Sequence, residues 1–171
     1  SLYAATKKNN EIIAHSYFKI HKFKSTALRF FTVYGPYGRP DMAYYSFAEK
    51  LLKNKKLEIY NYGNQMRDFT YIDDVVNIFM KLLFKPPTKK INFFRILNVG
   101  KGKPDKLSDF IKFLEKHFNK TARLKFIKAQ KGDVKYTSSS LKNLKKIINY
   151  KPKVNLDSGI KKFAKWFMEK K

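Results

Sequence analysis

The stretch Thr26 to Val33, rich in apolar and β-compatible residues, is flanked by two opposite signals. Before it, Leu2 to His21 carries Ile12, Ile13, Tyr17 and Ile20 at roughly helical spacing, with Ser1 placed to cap the first turn. After it, Gly35-Pro36-Tyr37-Gly38-Arg39-Pro40-Asp41 puts two glycines and two prolines into seven residues, which dictates a loop. A helix running at once into a buried strand, with a loop at the strand's carboxyl end, reads as a β-α-β series joined in progress.

The alternation continues along the chain. Helical patterns are expected over Ala43 to Lys53, Asp73 or Asp74 to Phe84, Asp105 or Ser108 to Phe118, Ser138–Ser140 to Ile148, and Asp157 or Ser158 to Met168. Asp73 and Asp74 read as helix caps rather than a catalytic pair, and Lys85-Pro86-Pro87 stops their helix. Extended runs are expected at Leu57 to Tyr60, Arg67 to Tyr71, Arg95 to Val99 and Arg123 to Ile127, with turns at Asn61-Tyr62-Gly63-Asn64, Gly100-Lys101-Gly102 and Gly132-Asp133. The fold class is α/β.

Composition excludes several classes. The 171 residues are 43% hydrophobic and 16% aromatic, enough for a packed core and incompatible with a disordered polyelectrolyte. No apolar run approaches the ~18 residues of a membrane helix, and there is no cysteine for a disulfide or a thiolate metal site; no signal peptide is expected. The expectation is a cytoplasmic protein without a membrane partner. A net charge of +25 invites nucleic acid. Yet Lys, Asn, Ile, Phe and Tyr make up 85 of the 171 residues, and lysine has displaced arginine, the better phosphate and base reader, 33 to 5. This favours compositional drift and no specific nucleic acid. His15, His21 and His117 lack metal-ligand spacing, so no metal is expected. Asn119-Lys120-Thr121 matches a glycosylation acceptor and is expected to be a chance sequon. Tyr44 and Tyr45 read as packing residues, and Phe163 with Trp166 as the pair that docks the last helix.

Chemistry enters at Tyr3-Ala4-Ala5-Thr6-Lys7. A Tyr and a Lys four apart share one helix face, and the ammonium together with the positive helix N-terminus favours the phenolate, the form a general base needs. The spacing alone is common by chance. Here it is followed by Leu28-Arg29-Phe30-Phe31-Thr32-Val33-Tyr34-Gly35-Pro36, Gly38-Arg39-Pro40-Asp41-Met42, Asn61-Tyr62-Gly63, Arg67-Asp68-Phe69-Thr70-Tyr71-Ile72-Asp73-Asp74-Val75, Leu97-Asn98-Val99-Gly100 and Gly132-Asp133-Val134. This ordered series resembles the C-terminal half of the extended short-chain dehydrogenases/reductases, the NAD-dependent epimerase/dehydratase family. Within it, the series looks most like the UDP-glucuronate 4-epimerases of capsule and cell-envelope polysaccharide synthesis.

The resemblance implies an isomerase with NAD as cofactor, interconverting UDP-glucuronate and UDP-galacturonate through a 4-keto sugar. Tyr3 would exchange the proton of the 4-hydroxyl, and Lys7 would hold the nicotinamide ribose and favour the phenolate. Thr32 would contact the sugar nucleotide at a strand end, where open α/β sheets bind ligands. Arg39 would meet the glucuronate carboxylate with its forked guanidinium. Arg67 would pair with the UDP pyrophosphate, and Asp133 would approach the uridine. Many relatives carry a second pyrophosphate Arg where this chain has Gln130, as the glucuronate branch commonly does. Another UDP-hexose 4-epimerase is the runner-up, with a dehydratase or decarboxylase behind it.

The implied layout is residues 1–34 as the last part of a Rossmann domain and 35–171 as mainly the smaller sugar-nucleotide-binding domain, with a Rossmann strand returning near 95–99. The family's Gly-rich NAD turn, and a Ser/Thr that bonds the substrate 4-oxygen, belong to an N-terminal half not among these residues. Gly100-Lys101-Gly102 is too short a match to replace that turn. The expectations are an inactive isolated chain, a homodimer through a helix bundle or an N-terminal-half partner, and, as contrasts, a decayed remnant or a basic nucleic-acid-binding module.

Overall fold

The computed structural model describes residues 1–88, 93–129 and 133–170. Helix α1 (Leu2–His21) starts where Ser1 Oγ accepts from the Ala4 N–H at 3.3 Å, and ends at Lys22 in a left-handed conformation. The run expected as one buried strand is two half-exposed ones, β1 (Ser25–Phe30) and β2 (Thr32–Tyr34). The break at Phe31 has a hydrogen-bonding cause. The Phe31 N–H goes to the Val99 carbonyl, whereas the Thr32 N–H goes to the Asp68 carbonyl, so the chain changes partners within one residue. Strand β1 pairs in parallel with β6 (Phe94–Val99), and β2 pairs in parallel with β5 (Phe69–Tyr71).

Helix α2 (Ala43–Leu52) leads to β3 (Lys56–Ile59), parallel to β8 (Arg123–Phe126). The expected turn at Asn61 is a single 3₁₀ turn, Tyr60–Gly63, with Asn61 and Tyr62 both at positive φ. Strand β4 (Met66–Arg67) is antiparallel to β7 (Asp105–Lys106), which runs into α4 (Leu107–Phe118).

Four expected caps are replaced. Helix α3 (Ile72–Leu83) has no side-chain cap: the Asp74 carboxylate turns inward to accept the Lys153 and Val154 N–H groups, and Asp73 faces the Lys162 ammonium at 3.6 Å. Asp105 lies in β7, and α4 begins without a side-chain cap. Helix α5 is only Lys142–Lys145, and Ser139 is bonded elsewhere. Helix α6 (Leu156–Glu169) is capped by Asn155 Oδ1, which accepts from the Ser158 N–H at 2.8 Å. For Asp74 and Ser139, a tertiary partner far along the chain takes the side chain that a local cap would have used.

Two apolar cores result. One gathers α2, α4 and α6 with Tyr34, Leu57, Ile59, Phe69 and Tyr71. The other gathers Val75, Ile78 and Leu82 of α3 with Leu97, Val99, Leu144 and Ile148. Phe163 is fully buried in the first core and edge-on to Tyr44 at 5.1 Å, while Trp166 packs against it and Tyr45, as docking residues should. Helix α1 lies against β1 and β6 with only Phe18 buried. Among the described residues, no helix is long and apolar enough to cross a membrane, and no group of three potential metal ligands occurs.

Candidate functional site

The partner change at Phe31 places two clefts on one short piece of chain. Phe30, the last residue of β1, lines a cleft of about 500 Å³ with Tyr3, Lys7, Asn10, Glu11 and Arg29. Thr32, the first residue of β2, lines another of about 380 Å³ with Tyr44, Lys50, Gln65, Arg67 and Asp133. Five of the six expected site residues therefore lie in two clefts whose edges are two residues apart.

In the first cleft, helical geometry sets Tyr3 and Lys7 on one face, with the Lys7 Nζ 5.6 Å from the centre of the Tyr3 ring. The Tyr3 side chain is 71% exposed, so its hydroxyl is open to a substrate. One turn further, Glu11 accepts two hydrogen bonds from Arg29 of β1, from Nε at 2.5 Å and Nη2 at 2.7 Å, and one from Lys8 at 2.9 Å. The Arg29 guanidinium holds the Glu11 carboxyl well below the usual carboxylate range, down to about 2, with Lys8 adding to the effect.

In the second cleft, Arg67 ends β4 and is fixed at several points. Its Nη2 donates to Asp133 Oδ1 at 2.9 Å, and Nη1 donates to the carbonyls of Met66 and Lys135. Asp133 also accepts from Gln65 Nε2 at 2.5 Å. A guanidinium pinned by a carboxylate at one edge has lost little further freedom when it meets an anion. Burial raises the Tyr44 hydroxyl on the same wall above its ordinary range. Gln130 and the Gly132 half of the expected Gly132-Asp133 turn lie outside the described residues.

Arg39 is not brought into this cleft. It is exposed in the Gly/Pro loop, where Nη2 donates to Asp41 at 3.0 Å, and it lines a smaller neighbouring hollow of about 210 Å³. Asp41, its partner, is on the lining of the Thr32 cleft.

Sequence reasoning passed over Asp68. It is fully buried beside Arg67, and its carboxylate accepts from the N–H groups of Lys101, Gly102 and Ser139 and the hydroxyls of Ser139 and Thr70. Arg67 and Asp68 thus divide the labour: one side chain faces the cleft, and the next ties its strand to the turn after β6 and to the segment running on from Asp133. Gly100 is required here, because a Cβ would lie 2.3 Å from Ser139 Oγ. An Asp inside an otherwise β-compatible run was the available signal. Gln65 gave none.

Fit to a nicotinamide cofactor can be judged on these residues. Lys7 has no carboxylate partner among the described residues and stands beside an open tyrosine, which suits donation to ribose hydroxyls. None of the 171 residues forms a Gly-x-Gly-x-x-Gly turn, so the cofactor's pyrophosphate finds no such cradle in this chain.

Residues 1–100 match the NAD dependent epimerase/dehydratase family. The chain is 49% identical over its whole length to protein MJ1055 of Methanocaldococcus jannaschii, covering 51% of it. It is 38% identical to protein CapI of Staphylococcus aureus, with 99% of this chain and 54% of that protein aligned. The crystal structure of UDP-glucuronic acid 4-epimerase from Bacillus cereus, in complex with UDP-glucuronic acid and NAD, superimposes with a TM-score of 0.90 at 34% identity, covering 100% of this chain and 54% of that one. The chain spans about half the length of the curated relatives it matches. On its Tyr–Lys helix, its Rossmann-type α/β architecture and these matches, the chain belongs to the NAD-dependent epimerase/dehydratase family.

Proposed function

We propose that this chain carries the proton-transfer pair and the sugar-nucleotide cleft of a UDP-glucuronate 4-epimerase, interconverting UDP-glucuronate and UDP-galacturonate for capsule or cell-envelope polysaccharide synthesis. The observation that carries the reading is the convergence of Thr32, Arg67 and Asp133 on one cleft beside the Tyr3–Lys7 cleft. The likeness to a structure solved with UDP-glucuronic acid and NAD supports it.

In this reading residues 1–34 and the strand at 94–99 belong to the cofactor side and most of 35–171 to the substrate side. NAD, when bound, supplies hydride acceptance and return at the sugar C4, so net redox is zero. Tyr3 takes the 4-hydroxyl proton as the 4-keto sugar forms and returns it when the opposite face is reduced. Lys7 donates to the nicotinamide ribose. Arg67 bears the pyrophosphate charge, Asp133 accepts from the uridine side, and Thr32 bonds the sugar. Arg39, paired with Asp41 outside this cleft, would have to leave that pair to meet the C6 carboxylate. The exposed Leu2, Ile13 and Ile20, on the α1 face opposite Phe18, support pairing with a second copy.

The test is titration of UDP into the chain, with Arg67→Ala as control, together with conversion of UDP-glucuronate by this chain joined to an NAD-binding N-terminal half, and by the Tyr3→Phe variant of that complete enzyme. Binding that depends on Arg67 and conversion that depends on Tyr3 are expected. Full conversion by Tyr3→Phe would sink the assignment.

A further inference from the structure

We infer that the Glu11–Arg29 pair aims the Tyr3–Lys7 face of α1, making Glu11 and Arg29 positioning residues for proton transfer. This rests on the proposed function for what is aimed, but not for the clamp itself. Among the described residues of this chain, the apolar anchor of α1 lies near its end, where Phe18 is buried and His15 and Phe18 pack on Phe94 at 5.2 and 6.4 Å between ring centres. Residues 1–10 are all exposed. Among the described residues, the hydrogen bonds that tie α1 side chains ahead of His15 to another element are those between Glu11 and Arg29.

The lever is long. At 1.5 Å per residue, Tyr3 lies roughly 22 Å along the axis from Phe18, and a swing of about 10° there would displace it by about 4 Å. Proton transfer tolerates far less, since a 1 Å misplacement can cost about 100-fold. A clamp at Glu11 shortens the free arm to roughly 12 Å. It also fixes direction, because two parallel N–H···O bonds set the plane of both groups. Tyr3, Lys7 and Glu11 stand at i, i+4 and i+8, so whatever orients Glu11 orients the other two. Arg29 immediately precedes Phe30, which lines the same cleft. A lysine at 29 would keep the charge but not the fork.

The experiment has two readouts. In the unliganded chain, amide hydrogen exchange should rise in residues 4–10 of Glu11→Gln and Arg29→Lys, stay unchanged around Phe18, and return toward the original in the reciprocal pair Glu11→Arg with Arg29→Glu. In the complete enzyme, this chain joined to an NAD-binding N-terminal half, both single variants should lose about 10- to 100-fold in kcat at unchanged KM for the UDP-sugar, since Thr32, Arg67 and Asp133 line the other cleft. Unchanged exchange at residues 4–10 would overturn the clamp, whatever the enzyme catalyses. Raised exchange with full kcat, in an enzyme that Tyr3→Phe inactivates, would overturn the positioning role. Full kcat in Tyr3→Phe itself would refute the functional reading and leave the exchange result to judge the clamp alone.

Discussion

Ser139 donates its hydroxyl to the Asp68 carboxylate at 2.5 Å across 71 residues of chain, and its N–H reaches the same oxygen at 2.9 Å. With the Lys101 and Gly102 N–H groups on that carboxylate as well, one buried anion satisfies three backbone donors from two loops. Replacing Asp68 with Ala should therefore cost about 3 kcal/mol or more in urea unfolding, because three backbone donors, each worth about 1 kcal/mol or more, lose their acceptor. Asp68→Asn should recover only part of it. A loss below about 1 kcal/mol for Ala would mean that the hub is not load-sharing in solution.

Arg67 should dominate recognition of a diphosphate. Removing a charge-assisted contact of about 1.5–3 kcal/mol predicts that Arg67→Ala binds UDP about 10- to 100-fold more weakly by calorimetry. Uridine should bind the original chain and the variant alike. Equal UDP affinity in both proteins would remove Arg67 from the pyrophosphate.

The 171 residues alone are expected to bind UDP yet show no conversion of UDP-glucuronate with NAD added, since no Gly-x-Gly-x-x-Gly turn is present. Product detected above a no-protein blank by chromatography would contradict this.

Gly159 lies inside α6 with the Tyr34 hydroxyl 2.1 Å from where a Cβ would stand. Alanine gains about 1 kcal/mol of helix propensity but forces repacking worth about 1–3 kcal/mol, so Gly159→Ala should be net destabilising. Deleting the hydroxyl with Tyr34→Phe should make the double variant more stable than additivity predicts, as a thermal double-mutant cycle would show.

Helices α4 and α6 are joined by Asp157, which accepts from Lys116 at 2.9 Å and bonds His117 Nε2 at 2.6 Å. Lys116 first and His117 second hold the Asp157 carboxyl below its usual range. A depressed carboxyl contributes stability above its unfolded value and loses it as pH falls through the folded one. The melting temperature of Asp157→Asn should therefore lie slightly below the original at pH 7, with the gap closing in acid. A gap that widens on acidification would refute the assignment. Solvent screening keeps the effect small.

Much of this was legible in the order of residues, for definite physical reasons. The ends of α1 follow from Ser1 and the apolar spacing, and the loop after Tyr34 from its glycines and prolines. The Tyr3–Lys7 face follows from 3.6 residues per turn. Helix caps were misread because a side-chain oxygen goes to the most demanding unsatisfied donor, and for Asp74 and Ser139 that donor or acceptor lay about 70 to 80 residues away.

The sequence by itself determined the α/β class, the local elements and the chemical types available to a site, since these depend on neighbours within a few residues. Tertiary structure alone decided that the strand breaks at Phe31, that Thr32, Arg67 and Asp133 share a cleft while Arg39 turns to Asp41, and that Asp68 and Glu11 hold their surroundings in place. The physical reason is that hydrogen-bond partners in a parallel sheet and the burial of a charge are set by segments far apart in the chain, and no local periodicity encodes which of them will meet.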